Sequence, residues 1–274
     1  KTTNDKKSLN MKNYLVIGNP IEHSLSPKLH NYWIKKNNIN AAYNKEKVDK
    51  DDLKNVILKI KEKKINGVNI TVPFKKEIIT YLDELTSEAE RTQSVNTIYL
   101  NNEKVIGHNT DISGFEFAIR DTIFKPSKKK AFILGAGGVV PSIIFALKKM
   151  DVTEIMVSNR TKAKAENIKT LFNDLTIVDW GEVPDFDLVI NATSLGLNKE
   201  DKINLDFYKV KKDKFFYDVI YNPEETNFLK VAKKHGNQTE NGKKMFIYQA
   251  AAAFNIWHGI QPEINNEVNQ LLSK

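Results

Sequence analysis

The sequence predicts an α/β protein of two domains, and three observations carry that prediction. With 274 residues the chain can bury a full core and exceeds the usual size of one domain. Short apolar runs of strand length alternate with segments whose apolar residues recur at helical spacing. Near the middle, an apolar run over residues 131–134 breaks at Gly135, Gly137 and Gly138, and Ile143, Ile144 and Leu147 then resume at helical spacing. Strand, glycine turn and helix in that order open a dinucleotide-binding βαβ unit of the Rossmann type.

Gly135 permits the tight turn, and Gly137 carries no side chain that would hold a pyrophosphate off the backbone. The helix start offers free N–H groups to such an anion. Val140 stands at the third glycine position, so the glycines alone also suit an ordinary buried βα turn. The next strand decides between them. A run over 154–157 ends in Ser158-Asn159-Arg160-Thr161, about 24 residues beyond Gly135, where the unit meets the adenosine ribose. An acidic residue there would favour NAD. Arg160, with Lys162 and Lys164 behind it, suits the 2′-phosphate of NADP.

The bulk numbers exclude several classes. A chain 41% hydrophobic and 28% charged is that of a soluble globular protein. The absence of cysteine rules out disulfides, thiolate metal sites and Cys nucleophiles, and fits a cytoplasmic location. The net charge of +8 comes from 42 basic residues spread along the chain, a solvated surface that can attract anionic substrates; no nucleic-acid partner is expected. No membrane partner is expected either, because the longest uncharged run, 131–147, is short for a span and holds Pro141 and three glycines. Residues 1–10 are polar, lack the apolar centre of a signal peptide, and are expected to form a disordered extension before Met11. The five histidines are scattered and no metal-ligand spacing stands out.

In chain order, 14–17 reads as a strand and Pro27 as the first residue of a helix capped by Ser26, with Leu29, Trp33 and Ile34 on its apolar side. A strand over 41–48 and a helix over 51–62 follow. Residues 67–72 alternate, with Val68, Ile70 and Val72 on one face and Asn69 and Thr71 on the other. Pro73-Phe74-Lys75 leads into a helix over 78–82. Strands over 95–100 and 104–106 form a hairpin through Asn101-Asn102, and Asp111 precedes a helix bearing Ile112, Phe115 and Ile119. Beyond the glycine unit come strands at 188–191 and 215–219, a helix over 224–234, a long helix with Met245, Gln249, Ala253 and Trp257 on one face, and a last helix over 264–272.

The polar loops add up. Ser24-Leu25-Ser26-Pro27, Asn69-Ile70-Thr71-Val72-Pro73-Phe74-Lys75, Val95-Asn96-Thr97, Gly107-His108-Asn109-Thr110-Asp111, the glycine turn, Asn159-Arg160-Thr161, Asn191-Ala192-Thr193-Ser194 and Gln249-Ala250-Ala251, in that order, resemble the shikimate dehydrogenase family. The likeness runs from about residue 14 to 260. It implies an α/β substrate domain over 11–111 and 242–274 and a Rossmann-type NADP-binding domain over 112–241. It also implies NADPH-linked reduction of 3-dehydroshikimate to shikimate, with NADP(H) as cofactor and room for a homodimer. Val140-Pro141-Ser142 and Lys244 depart from the pattern common in the family, near the cofactor and away from the reacting groups.

Carried over residue by residue, the resemblance makes Lys75 and Asp111 the reacting pair. A Lys can donate a proton to the nascent alkoxide, or stabilise it, while Asp111 orients the Lys. Ser24 and Ser26 would take the substrate carboxylate, although Ser26 read alone is an N-cap. Asn69, Thr71, Asn96, Tyr221 and Gln249 would meet substrate hydroxyls. Gly135, Ala136, Gly137, Gly138, Val139, Asn159, Arg160, Thr161, Lys164, Thr193, Ser194, Val219 and Gly242 would line the cofactor. A quinate/shikimate dehydrogenase using NAD is a rival that Arg160 disfavours, and a non-catalytic ligand sensor is a rival that the pair Lys75 and Asp111 disfavours. The Ser-x-Ser loop disfavours a methylenetetrahydrofolate dehydrogenase.

Overall fold

A computed structural model describes residues 10–203, 205–206 and 209–273; the expected extension over 1–9 lies outside them. The chain divides into two compact units, Lys1–Thr110 with Ala250–Lys274, and Asp111–Gln249.

The first unit is built on β1 (Lys12–Gly18), α1 (Ser26–Lys36), β2 (Ala41–Lys47), α2 (Leu53–Lys61), β3 (Gly67–Ile70), β4 (Glu84–Leu85), α3 (Ser87–Thr92), β5 (Thr97–Asn101) and β6 (Lys104–His108). The strands form one mixed sheet in the order β2-β1-β3-β5-β6-β4. β1 runs parallel to β2 and β3, and β5 runs antiparallel to β3 and β6. Leu53, Val56, Ile57 and Ile60 recur at i, i+3, i+4 and i+7, which gives α2 one apolar stripe. That stripe packs on Val68, Ile70, Ile98 and Val105 of the sheet. Each such side chain, fully buried, contributes about 1.5–3 kcal/mol.

The second unit starts with α4 (Asp111–Arg120) and continues through β7 (Lys130–Leu134), α5 (Val140–Lys149), β8 (Glu154–Ser158), α6 (Lys162–Lys169), β9 (Thr176–Ile177), β10 (Leu188–Asn191), β11 (Phe215–Asp218), α7 (Asn227–Lys234) and β12 (Gln238–Glu240). All its strands are parallel, in the order β12-β11-β10-β7-β8-β9. Counted from β7 as the first, that is the 3-2-1-4-5-6 order of a dinucleotide-binding sheet, and its strand order reverses between β7 and β10. The inner strands β7, β8, β10 and β11 are buried on both faces and read as largely apolar runs, as a parallel sheet covered by helices requires.

α8 (Lys243–His258) is one continuous helix, and α9 (Asn266–Leu272) follows it. The substrate domain was expected to resume at 242, yet residues 242–249 pack with the second unit. Met245 belongs to the core around Phe115 and Tyr217, and Gly242 lies against the Val219 backbone.

Four local expectations need correction. α1 starts at Ser26, with Leu25 in the cap position and no side-chain cap, because the Ser24 hydroxyl accepts the Ser26 N–H at 3.3 Å. The β3 ladder stops at Ile70 and Val72 is 62% exposed, since Pro73 has no N–H with which to continue it. The helix expected over 78–82 is a 3-10 helix, Glu77–Tyr81, and Lys75 sits in the turn before it. The hairpin pairs Asn101 with Lys104, so its turn residues are Asn102 and Glu103, both at positive φ.

Candidate active site

In the first unit the structure gathers Ser24, Ser26, Asn69, Thr71, Lys75 and Asn96 around the ends of β1, β3 and β5. The backbone ties them together. Ile70 N–H donates to the Asn96 carbonyl at 2.8 Å, and Val95 N–H donates to the Lys75 carbonyl at 2.8 Å. Lys75 is half-buried beside the strand end that carries Asn96. Thr71 N–H donates to the Ile17 carbonyl at 3.0 Å, and the Thr71 methyl packs where a β-carbon on Gly18 would fall 2.5 Å away.

The side chains form a directed hydrogen-bond chain. The Asn69 amide nitrogen donates to the Asn96 carbonyl at 3.0 Å and to Thr97 Oγ1 at 3.1 Å. A carbonyl only accepts, so Asn69 Oδ1 must face the other way, where the Tyr43 phenol donates to it at 2.7 Å. Further along, Thr97 Oγ1 donates to Asn96 Oδ1 at 3.1 Å. Asn96 grips Thr110 twice, accepting its N–H and donating to its Oγ1, each at 2.8 Å. Asn69 and Asn96 are buried, and their amides are engaged within the unit.

In the second unit Asp111 is the first residue of α4 and is 5% exposed. One turn on, Gly114 lets α4 lie close to α8: a β-carbon there would sit 2.9 Å from the Met245 carbonyl oxygen and 3.0 Å from Gln249 Cβ. The Asp111 helix therefore rests directly on the turn that presents Gln249. Gln249 Nε2 donates to the Phe246 carbonyl at 2.9 Å, and the Tyr221 ring lies 4.8 Å from the Phe246 ring. Burial pushes the Tyr221 phenol up to about 12.

The glycine turn follows β7. Gly135 has φ +118, and a β-carbon there would meet the Ala192 carbonyl oxygen at 2.8 Å, at the point where β7 and β10 diverge. Gly137 instead faces open space, with nothing within 4 Å of its would-be β-carbon. Gly137 and Gly138 are exposed, Ala136 and Val139 half-buried. At the end of β8, Asn159 donates to the Thr161 carbonyl at 2.9 Å, while Arg160, Thr161 and Lys164 are exposed. Lys162 pairs with Asp179 at 3.0 Å; Arg160 and Lys164 have no carboxylate partner among the described residues. The turn geometry and this cation fit a phosphorylated dinucleotide.

The third part of this unit joins Thr193 to Val219. Asn191 Oδ1 accepts from the Thr193 N–H at 3.1 Å and from its hydroxyl at 2.6 Å, beside the exposed Ser194. Asp218, at the end of β11, accepts from Asn191 Nδ2, from the Ile220 N–H and from the Thr226 hydroxyl. Burial raises its carboxyl to about 6 against those bonds. Gly242 is obligatory where it stands, since a β-carbon would fall 1.8 Å from the Val219 carbonyl oxygen.

Sequence reasoning missed Tyr43, Thr97, Thr110 and Asp218. For Tyr43 the signal was an aromatic residue in an otherwise charged edge strand, Ala-Ala-Tyr-Asn-Lys-Glu-Lys. For Asp218 it was an acid ending an apolar strand. Among the described residues no three His, Cys, Asp or Glu side chains converge as a metal site, and no helix is long and apolar enough to cross a membrane.

Comparison with known proteins gives one answer. Residues 16–98 match the shikimate dehydrogenase substrate binding domain, 119–225 the shikimate/quinate 5-dehydrogenase family and 244–265 the shikimate 5′-dehydrogenase C-terminal domain. The chain is 60% identical to the NADP(+) shikimate dehydrogenase of Pelagibacter ubique over 261 residues, covering 95% of this chain and 98% of that one. It superimposes on a shikimate dehydrogenase solved with NADP+ at a TM-score of 0.91, with 36% identity over 97% of this chain and 96% of the other. The Thermus thermophilus shikimate 5-dehydrogenase, solved with NADP(H) and shikimate, gives 0.87 at 29% identity, covering 96% and 99%. This chain belongs to the shikimate dehydrogenase family.

Proposed function

We propose that the protein reduces 3-dehydroshikimate to shikimate, reversibly and with NADPH, as a cytoplasmic enzyme of aromatic amino acid biosynthesis. The observation that carries this reading is the presence of both Lys75 and Asp111, in their motif contexts, in a chain 60% identical to the Pelagibacter ubique enzyme.

NADPH, when bound, supplies the hydride. The chain supplies the rest. The ketone oxygen gains negative charge as its carbon is reduced, and Lys75 donates the proton that turns it into a hydroxyl. Asp111 accepts from the reacting hydroxyl, which orients it. Ser24 donates its hydroxyl proton to the substrate carboxylate; the Ser24 oxygen already accepts the Ser26 N–H, which fixes its direction. Ser26 joins it with its own hydroxyl proton. Asn69, Thr71, Asn96, Tyr221 and Gln249 frame the ring hydroxyls. The glycine turn from Gly135 to Val139 would take the pyrophosphate, Arg160 and Lys164 the 2′-phosphate with Asn159 and Thr161 beside them, and Thr193, Ser194, Val219 and Gly242 would line the rest of the cofactor.

The cofactor half of this reading is tested with shikimate and NADP+ or NAD+. A charge-assisted contact of about 1.5–3 kcal/mol from Arg160 to the 2′-phosphate gives NADP+ roughly a tenfold or greater preference in kcat/KM. Arg160→Ala should erode that preference and leave NAD+ turnover nearly unchanged. Equal kcat/KM for the two cofactors in the parent, or a parent that oxidises quinate as fast as shikimate, would contradict it.

A further inference from the structure

One of the proposed substrate contacts, Asn69 in β3, takes its direction from a residue two strands away, in β2. The Tyr43 phenol donates to Asn69 Oδ1 at 2.7 Å. Register explains how: β1 pairs Tyr14 with Tyr43 on one side, and Tyr14 with Gly67 and Val16 with Asn69 on the other.

Tyr43 is itself held fast. It is 1% exposed, and its ring stacks on the His30 imidazole at 4.2 Å and 6°. The Asn31 amide brackets its backbone, donating to the Tyr43 carbonyl at 2.8 Å and accepting its N–H at 3.0 Å. The phenol is thus a fixed point against which the Asn69 amide is set.

We propose that Tyr43 is a positioning residue for substrate binding, which holds the Asn69 amide in the place from which it meets the substrate. This rests on the reading of Asn69 given above.

Tyr43→Phe keeps the ring and its stacking and deletes only the hydroxyl. It should raise KM for shikimate roughly tenfold, the size of one lost hydrogen bond to a site that must now order itself. The kcat and KM for NADP+ should stay within about twofold, a split that general loss of stability would not produce. In an Asn69→Ala background, Tyr43→Phe should have no further effect on KM, because its action runs through that side chain. If Tyr43→Phe matches the parent in KM, or adds its full effect in that background, the assignment is wrong while the proposed activity stands. A parent that does not oxidise shikimate overturns the activity and this assignment together.

Discussion

Asn96 grips Thr110 at two points, its Oδ1 accepting the Thr110 N–H and its Nδ2 donating to the Thr110 hydroxyl, both at 2.8 Å. Thr110 immediately precedes Asp111. The clamp therefore fixes the Thr110 backbone, the last residue of the first unit before the proposed catalytic carboxylate. Asn96→Ala would remove the acceptor that the buried Thr110 N–H and the Thr97 hydroxyl share, at about 1–3 kcal/mol each. The expected result is a lowered melting temperature together with a fall in kcat that exceeds any rise in KM for shikimate. A variant with normal kcat and only a raised KM would show that Asn96 serves the substrate alone.

Lys75 and Asp111 are expected to work as one unit. Lys75→Ala should lower kcat by about 10²–10⁴-fold, the range of a positioned acid or base, with KM changed far less. Asp111→Asn should act on the same step, and the double variant should be little worse than the weaker single one. Steady-state kinetics of the three variants decide this, and multiplicative losses would separate the two roles.

The two glycines of the cofactor turn should fail in opposite ways. Gly135 is at φ +118 with no room for a β-carbon, so Gly135→Ala should cost at least about 2 kcal/mol and be visible in a thermal melt. Gly137 faces open space, so Gly137→Ala should melt like the parent. It should nonetheless raise KM for NADP+, because the methyl group would stand where the pyrophosphate approaches. Unchanged KM for NADP+ in Gly137→Ala would remove the pyrophosphate from this turn.

Stability should fall as the medium turns acid, and His30 should be one identifiable cause. Burial, with His258 as a smaller cause, lowers its imidazole to about 3, well below the ordinary 6.5. The unfolded chain then binds a proton that the folded chain refuses. Stability from this group is present above pH 6.5 and is lost as the pH falls from 6.5 towards 3, at about 1.4 kcal/mol per unit. His258, lowered to about 4 chiefly by burial, acts in the same direction. Asp218, raised to about 6, acts oppositely, gaining stability as the pH falls through 6. The other neighbours of His30, namely Trp33, Tyr43, Phe254 and Trp257, do not titrate in this window. Urea unfolding at pH 5, 6 and 7 should show a shallower loss in His30→Phe than in the parent; parallel curves would contradict this account.

Much of this architecture is legible in the sequence because the signals are local. The run over 131–134, the glycines after it and the helical spacing of Ile143, Ile144 and Leu147 predict β7, the turn and α5 from adjacent residues. What escapes is what long-range pairing decides. Tyr43 meets Asn69 only because β1 lies between β2 and β3, and no spacing along the chain encodes that neighbour. Ser26 reads as a cap, yet Ser24 supplies the oxygen that meets the Ser26 N–H, so the helix starts one residue early. Residues 242–249 join the second unit because Gly242 and Met245 find their contacts there, at Val219 and in the core around Phe115. Asp218 was passed over because a lone acid at a strand end has no pattern. Its importance lies in Asn191, Ile220 and Thr226, which converge on it.

The most direct measurement is the absorbance of NADPH in the presence of the purified protein and 3-dehydroshikimate. The absorbance should fall only when protein, cofactor and ketone are all present, one NADPH being consumed for each shikimate formed, and NADH should replace NADPH poorly. No fall with 3-dehydroshikimate, or a fall that Lys75→Ala leaves at the parent rate, would contradict the account.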